Sequence, residues 1–317
     1  MSVFLSIVVP VYNEEESILL CYEKLVQVFS VYEKTVEFIF IDDGSRDKSY
    51  SILKNLSVKD SRVKCIQFSR NFGKEAAMSA GFDFCSGEYV CQIDADLQDP
   101  PELIPEMIAL AQQKELDVVY GVRTKRDGET RLKKITSFLF YKLIARISSI
   151  DIPEHTGDFR VMTKEVVMAI RKLKETQRFM KGLFAWVGFK QEGFYYERNS
   201  RSAGKTKFNY VKLWNFAIEG ITSFTNVPLK LATYVGFFFA CFSFCLAVFY
   251  ILKYFLYGDR FQGFLTLIVA ILFIGGIQIM FLGIIGEYLG RIYFESKNRP
   301  LYLVKNKVID TSASKID

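Results

Sequence analysis

Two long apolar runs near the C-terminus constrain this chain more than any other feature. Leu231–Tyr257 carries Lys253 as its only charge, and Phe264–Tyr288 is apolar until Glu287. A helix over the first run covers roughly 40 Å at about 1.5 Å per residue, enough for a hydrocarbon core of about 30 Å. Lys253 lies close enough to the end of its run to snorkel to the interface. Burial as two core helices of a soluble domain fails on length, because such helices rarely exceed about 18 apolar residues without a polar face. Lys205, Lys207, Lys212 and Lys230 precede the pair, and Arg291, Lys297, Arg299, Lys305 and Lys307 follow it. The positive-inside rule then puts both termini in the cytoplasm. Gly286 and Gly290, four apart, offer a small face for close helix packing or oligomerisation.

This divides the chain into an N-terminal domain over 1–204, a juxtamembrane amphipathic segment over 205–230, and two spans (231–257 and 264–288) within 231–290. A cytoplasmic tail over 291–317 follows, of which residues 305–317 read as polar and mobile. Val3–Val9 is short, β-branched and without a basic leader, and Pro10 ends it. It reads as a first strand rather than a signal peptide, which keeps the N-terminal domain on the cytoplasmic side.

Within that domain, β-branched runs at Ser6–Pro10, Val36–Asp42, Val63–Phe68, Tyr89–Asp94 and Asp117–Arg123 alternate with helical patterns at Glu14–Val31, Lys74–Phe84 and Pro101–Gln113. The alternation predicts an α/β domain with a mostly parallel sheet. Ligands of such sheets bind beyond the carboxyl ends of the strands. There the sequence places Pro10-Val11-Tyr12-Asn13-Glu14, Asp42-Asp43-Gly44-Ser45, Asp94-Ala95-Asp96-Leu97-Gln98-Asp99-Pro100 and Arg123.

Several chemistries are disfavoured. With six Cys in no C-x-x-C pair and a single His, His155, a zinc site is not expected, and His155 itself reads as structural. No G-x-G-x-x-G is present, and Gly204-Lys205-Thr206 lacks the glycine five positions earlier that a phosphate loop needs. The net charge of +6 is concentrated at 123–134, 198–212 and 291–307. The last two groups flank the apolar region, which favours anionic lipid or phosphate over nucleic acid as partner.

Two carboxylates one residue apart on an extended segment point to the same side and repel unless a cation joins them. Asp94 and Asp96 are therefore candidate ligands of Mg²⁺ or Mn²⁺, with Gln98 adding a neutral oxygen and a diphosphate completing the shell. The ion would neutralise charge as a diphosphate departs.

These strand-end motifs resemble the GT-A family of inverting glycosyltransferases, with its Rossmann-like catalytic domain. Together with His155-Thr156-Gly157-Asp158-Phe159-Arg160, Arg201-Ser202-Ala203-Gly204-Lys205-Thr206-Lys207 and two terminal spans, they resemble the polyprenyl-phosphate branch. That branch includes dolichol-phosphate mannose synthases and the bactoprenol glucosyltransferases of O-antigen-modifying phages. The resemblance covers nearly the whole chain. It implies that Pro10, Tyr12, Glu14 and Asp43 hold the nucleoside, Asp43 through the base, with Asp94, Ala95 and Asp96 at the donor diphosphate and Lys207 reaching it. It implies that Arg123 and Arg201 bind the acceptor phosphate; Arg131, Lys133 and Lys134 either assist or form a solvated basic face. Asp158 lies near the reacting centre as general base, sugar-hydroxyl acceptor or orienter of Arg160. Glu14 also fits a helix N-terminus, where a carboxylate favours the dipole.

The implied reaction is transfer of a sugar, best matched by glucose from UDP-glucose, to undecaprenyl phosphate at the cytoplasmic face of the inner membrane. A homo-oligomer, a tetramer in some relatives, is also implied. Arg131–Ile150 and Phe208–Val227 each set basic residues against Phe, Leu and Ile, as interfacial helices do, although packing on the domain also accounts for the second. Two rivals remain at this point. A polysaccharide synthase needs a channel that two spans cannot line in a monomer, and Q-x-x-R-W is absent. A membrane scaffold or flipping partner would not need Asp94, Asp96 or Lys207.

Overall fold

The computed structural model describes residues 2–30, 32, 35–124, 156–176, 178–197, 227–257 and 263–308. Eight strands form one sheet among the described residues: β1 (Leu5–Val11), β2 (Val36–Asp42), β3 (Val63–Phe68), β4 (Tyr89–Gln92), β5 (Val118–Arg123), β6 (Thr156–Thr163), β7 (Gln191–Tyr196) and β8 (Val304–Val308). Their order is β7-β5-β6-β4-β1-β2-β3-β8. Strands β3, β2, β1 and β4 run parallel, and β6 enters antiparallel between β4 and β5.

Helices α1 (Ile18–Phe29), α2 (Ser49–Lys59), α3 (Lys74–Phe84), α4 (Ile104–Lys114), α5 (Lys164–Lys172) and α6 (Met180–Trp186) cover the two faces. The central strands are apolar on both sides, as a doubly covered sheet requires. In β1, Leu5, Ile7, Val9 and Val11 join Ile18, Cys21 and Leu25 of α1 in one core. Val8 points the other way, to Ala77 and Ala80 of α3 and Leu183 of α6. Each buried Leu, Ile or Val among them contributes roughly 1.5–3 kcal/mol relative to exposure. Helix α3 approaches β1 closely, since a Cβ on Gly81 would stand 2.1 Å from Val8 Cγ1.

The strands and helices expected over residues 5–123 are present, with ends that move by a residue or two and three larger differences. Helix α1 begins at Ile18 rather than Glu14. The intervening turn is closed by the Ser17 and Ile18 amides donating to the Glu14 carbonyl, at 3.0 and 3.1 Å. Strand β4 ends at Gln92, so Asp94-Ala95-Asp96 is not extended as expected but enters a turn with Leu97 at φ 55°. A helix expected from Pro101 starts as a 3-10 turn over Pro101–Leu103.

The tail is partly ordered, against expectation. Helix α8 (Phe264–Ser296) runs past the expected span, and β8 then pairs antiparallel with β3. The Ser69 amide donates to the Leu303 carbonyl at 2.9 Å, and Tyr302 stacks on Phe68 with ring centroids 4.9 Å apart. Backbone hydrogen bonds at the sheet edge outweigh the polar character of residues 304–308. Helix α7 (Val227–Tyr257) and α8 are each long and apolar enough to cross a membrane, and the described parts of their candidate spans are not buried within the chain.

Candidate active site

The carboxyl ends of β1, β2 and β4 open on a cavity of about 380 Å³. Its walls include Pro10, Tyr12, Glu14, Asp43, Asp94, Ala95 and Asp96, the residues expected to meet the donor. Asn71, Gly73 and Lys74, from the turn between β3 and α3, complete it and were not anticipated.

Local geometry explains how these side chains are held. Asn13 adopts φ 53°, a left-handed conformation that asparagine tolerates. Its side-chain oxygen accepts from the Arg46 amide at 2.9 Å, and its own amide donates to Ser45 Oγ at 3.0 Å. These bonds fix the β1 and β2 ends to one another. The Glu14 carboxylate accepts from Ser17 Oγ at 2.9 Å, so it braces the entry to α1 while facing the cavity.

Asp43 is 3% exposed and bridges to the β3–α3 turn: Oδ1 accepts from the Phe72 amide at 2.6 Å and Oδ2 from the Gly73 amide at 2.9 Å. Burial raises its pKa above the usual carboxylate value, against the pull of those two amides. The turn comes so near that a Cβ on Gly44 would lie 2.4 Å from the Arg70 carbonyl carbon, and Gly44 sits at φ 66°. Glycine is required there on both counts.

Beyond β4, the Gln98 amide donates to Asp96 Oδ1 at 3.2 Å, which ties the turn to itself. The Gln98 side-chain oxygen is buried and has no hydrogen-bond partner among the described residues. Among the described residues no cluster of three or more His, Cys, Asp or Glu is preassembled for a metal. Two carboxylates with a nearby orphaned amide oxygen are nonetheless hard donors of the kind a divalent cation takes, and Lys74 already places a positive charge against Asp94.

Lys74 Nζ lies 2.6 Å from Asp94 Oδ1 and 2.5 Å from Asp158 Oδ2. Burial alone would lower its pKa, but Asp94 and Asp158 outweigh it and push the pKa up. Burial would raise the Asp158 pKa, yet Lys74 and Lys181 hold that carboxyl well below the usual range. Arg160, on the same strand, donates to the Gly157 carbonyl at 3.1 Å and lies over the Phe184 ring at 3.7 Å. Burial pushes its pKa down to about 10. Lys181 on α6 shares this region, and burial lowers its pKa despite Asp158.

Arg123, at the end of β5, sits 3.6 Å from the buried Asp99, which also accepts a hydrogen bond from the Tyr196 hydroxyl of β7. Burial opposes its charge, while Asp99 and Tyr196 more than restore it. The result is a carboxylate-lined cavity with Lys74 in its wall and Arg123, Arg160 and Lys181 near enough to act on Asp94 or Asp158, suited to a polyanionic ligand. Arg131, Lys133, Lys134, His155, Arg201 and Lys207 lie outside the described residues, as do both expected interfacial helices save Val227.

Lys74, Lys181 and Tyr196 escaped the sequence argument, and Asp99 was named in a motif without a role of its own. For Lys74 the signal was available: the rule that directs attention to strand carboxyl ends applies equally to Ser69–Lys74 after β3.

A mostly parallel sheet with an acidic cavity at its carboxyl edge, followed in the chain by an apolar helix pair, fits a membrane-associated transferase of the GT-A type. Residues 6–171 match glycosyl transferase family 2, and residues 227–292 match the GtrB C-terminal hairpin. The chain belongs to glycosyl transferase family 2 and is a glycosyltransferase. It is 49% identical over 306 residues to an uncharacterized glycosyltransferase of Synechocystis sp., covering 96% of each chain. It is 46% identical over 303 residues to the bactoprenol glucosyl transferase of Shigella phage SfV, covering 96% of this chain and 98% of that one. It is 45% identical over 301 residues to a prophage bactoprenol glucosyl transferase homolog of Escherichia coli K12, covering 95% and 98%.

Proposed function

We propose that this enzyme transfers glucose from UDP-glucose to a polyprenyl phosphate, undecaprenyl phosphate in bacteria, with inversion at the anomeric carbon. One observation carries the reading: an acidic, cation-backed cavity and an exposed apolar helix pair occur in one chain. A soluble sugar acceptor would need no such hairpin, whereas a lipid phosphate presented at a membrane surface does. The near-full-length similarity to the phage SfV enzyme, with its bactoprenol name, supports the lipid and the glucose.

The lipid phosphate oxygen attacks the anomeric carbon as the bond to the nucleoside diphosphate breaks, and a single displacement inverts the configuration. No strong base is needed, since a phosphate monoester is largely dianionic at neutral pH, its second pKa being about 6. Asp158, hydrogen-bonded to Lys74, remains ionised and acts by orienting and by charge. Positioning and electrostatics supply most of the rate. Pro10, Tyr12, Glu14 and Asp43 border the nucleoside end of the cavity. Arg123, with Arg131 and Arg201, meets the acceptor phosphate, and Lys207 the donor diphosphate. Mg²⁺ or Mn²⁺ bound by Asp94, Asp96 and Gln98 would neutralise the departing diphosphate.

The 1–204 unit and both termini face the cytoplasm, α7 and α8 cross the inner membrane, and residues 205–230 lie at its surface. The chain assembles as a homo-oligomer, with a tetramer as the proposed state. The test offers radiolabelled nucleotide-sugars to the purified full chain with undecaprenyl phosphate and Mg²⁺ or Mn²⁺. Label should enter organic-extractable lipid from UDP-glucose and be lost in Asp96→Asn. Absence of label from every donor with folded protein would overturn the lipid acceptor.

A further inference from the structure

The ladder between β4 and β6 pairs Tyr89 with Thr163 and ends with Gln92 opposite Arg160. Two steps further along the same register lie Asp94 and Asp158. The chain thus directs two carboxylates toward each other at the frayed end of an antiparallel pair, and like charges so opposed are destabilising. Lys74 resolves the conflict, with its ammonium against both. It reaches them as the first residue of α3, after Gly73 at φ 99°. Asp43 holds the turn before it by the two amides at 72 and 73.

We infer that Lys74 is a positioning residue that acts as the built-in counter-cation of the Asp94–Asp158 pair and competes with the divalent cation for Asp94. While the donor site is empty, the ammonium keeps the two carboxylates together. When the cation binds Asp94, Lys74 retains Asp158 alone and is freed to turn toward the anionic donor in the cavity it lines. The charge at Asp94 is thereby balanced in both states, and metal occupancy is coupled to donor arrival. The inference rests on the proposed metal role of Asp94 and Asp96, but not on the identity of sugar or lipid.

The experiment measures Mn²⁺ binding, with no sugar nucleotide or lipid, to the full chain in detergent by the electron paramagnetic resonance signal of free Mn²⁺. Lys74→Met, Lys74→Arg and wild type are compared, with melting curves to show that each is folded. Removing a unit positive charge a few ångströms from a divalent ion in a hydrated site should tighten Mn²⁺ binding about tenfold. Lys74→Arg, which keeps the charge, should bind as wild type does. A folded Lys74→Met with unchanged or weaker Mn²⁺ affinity would overturn the inference. No Mn²⁺ binding by wild type would overturn it together with the metal role. Tighter binding in Lys74→Met without transfer from any donor would support it while removing the proposed reaction.

Discussion

Replacing Asp43 with asparagine separates two roles that this side chain can have. It lines the acidic cavity proposed to take the donor, and it also anchors the turn that carries Lys74. Both carboxylate oxygens are engaged by amides, at 2.6 and 2.9 Å, in a residue only 3% exposed. Hydrogen bonds to a charged acceptor contribute about 1.5–3 kcal/mol each, which would make the pair worth roughly 3–6 kcal/mol. Burial outweighs the two bonds in its effect on the ionised carboxyl, because its pKa is raised in spite of them, so the loss on mutation comes from the amides left without a partner rather than from the lost charge. Asparagine removes the charge and keeps one acceptor, but its NH₂ must face the other amide. One partly buried N–H is then left unmatched, at a cost of about 1–3 kcal/mol. The expected net loss is about 2 kcal/mol, or roughly 4–8 °C in the melting transition of the catalytic domain. Asp43→Ala orphans both amides and should cost about 1–3 kcal/mol more. Differential scanning calorimetry of the three proteins, with UDP-glucose binding measured in parallel, checks this. If Asp43→Asn melts as wild type does while donor binding collapses, the anchoring role is refuted and Asp43 is a ligand contact alone.

Three further outcomes follow from packing and charge. Gly81→Ala should destabilise the domain by about 1–3 kcal/mol through overlap with Val8, and adding Val8→Ala should recover part of the loss, visible as a non-additive double-mutant cycle in thermal melts. Glu37 is buried with Lys64 at 2.5 Å and the Ser86 amide at 2.8 Å; burial would raise its pKa, but Lys64, Ser6 and Ser86 bring it below the ordinary 4.5. Its folded pKa is thus depressed, so its contribution is present above about pH 4.5 and lost as pH falls through the lowered value; the stability gap between wild type and Glu37→Gln, about 2–4 kcal/mol at pH 7, should narrow across that window. Tyr302→Ala removes the stack on Phe68 and the 2.7 Å bond to Asp83; hydrogen exchange should quicken in β8 and along β3 and leave β5 unaffected.

What the sequence disclosed tracks the range of the forces involved. Val36–Asp42, Val63–Phe68 and Lys74–Phe84 match their elements residue for residue, because a strand buried on both faces and a helix held against it leave an unbroken local pattern. The acidic cavity was equally legible, since the carboxyl edge of a parallel sheet is fixed by connectivity. Strands β6 and β7 were not, although Thr156–Arg160 of β6 appears in one of the motifs. Thr156–Thr163 carries Asp158 and Arg160 among apolar positions, and its place between β4 and β5 depends on pairing with distant residues. The same holds for β8, whose Lys305, Asn306 and Lys307 read as solvent-facing tail until β3 supplies hydrogen bonds.

The return of β8 has a physical consequence for the two halves of the chain. Glu295, at the end of α8, accepts from the Thr176 amide and hydroxyl at 2.8 and 3.0 Å. Nine residues later, at Val304, the chain pairs with β3, whose carboxyl end feeds the turn bearing Lys74. The helix that the sequence marks as a membrane span is thus tied at its C-terminal end to the same sheet that holds the carboxylates. A free tail would let the domain tumble beneath its hairpin. With the proposed lipid phosphate as acceptor, this attachment after α8 would limit the orientations in which the cavity meets it, and so reduce the entropy lost in bringing donor and acceptor into line.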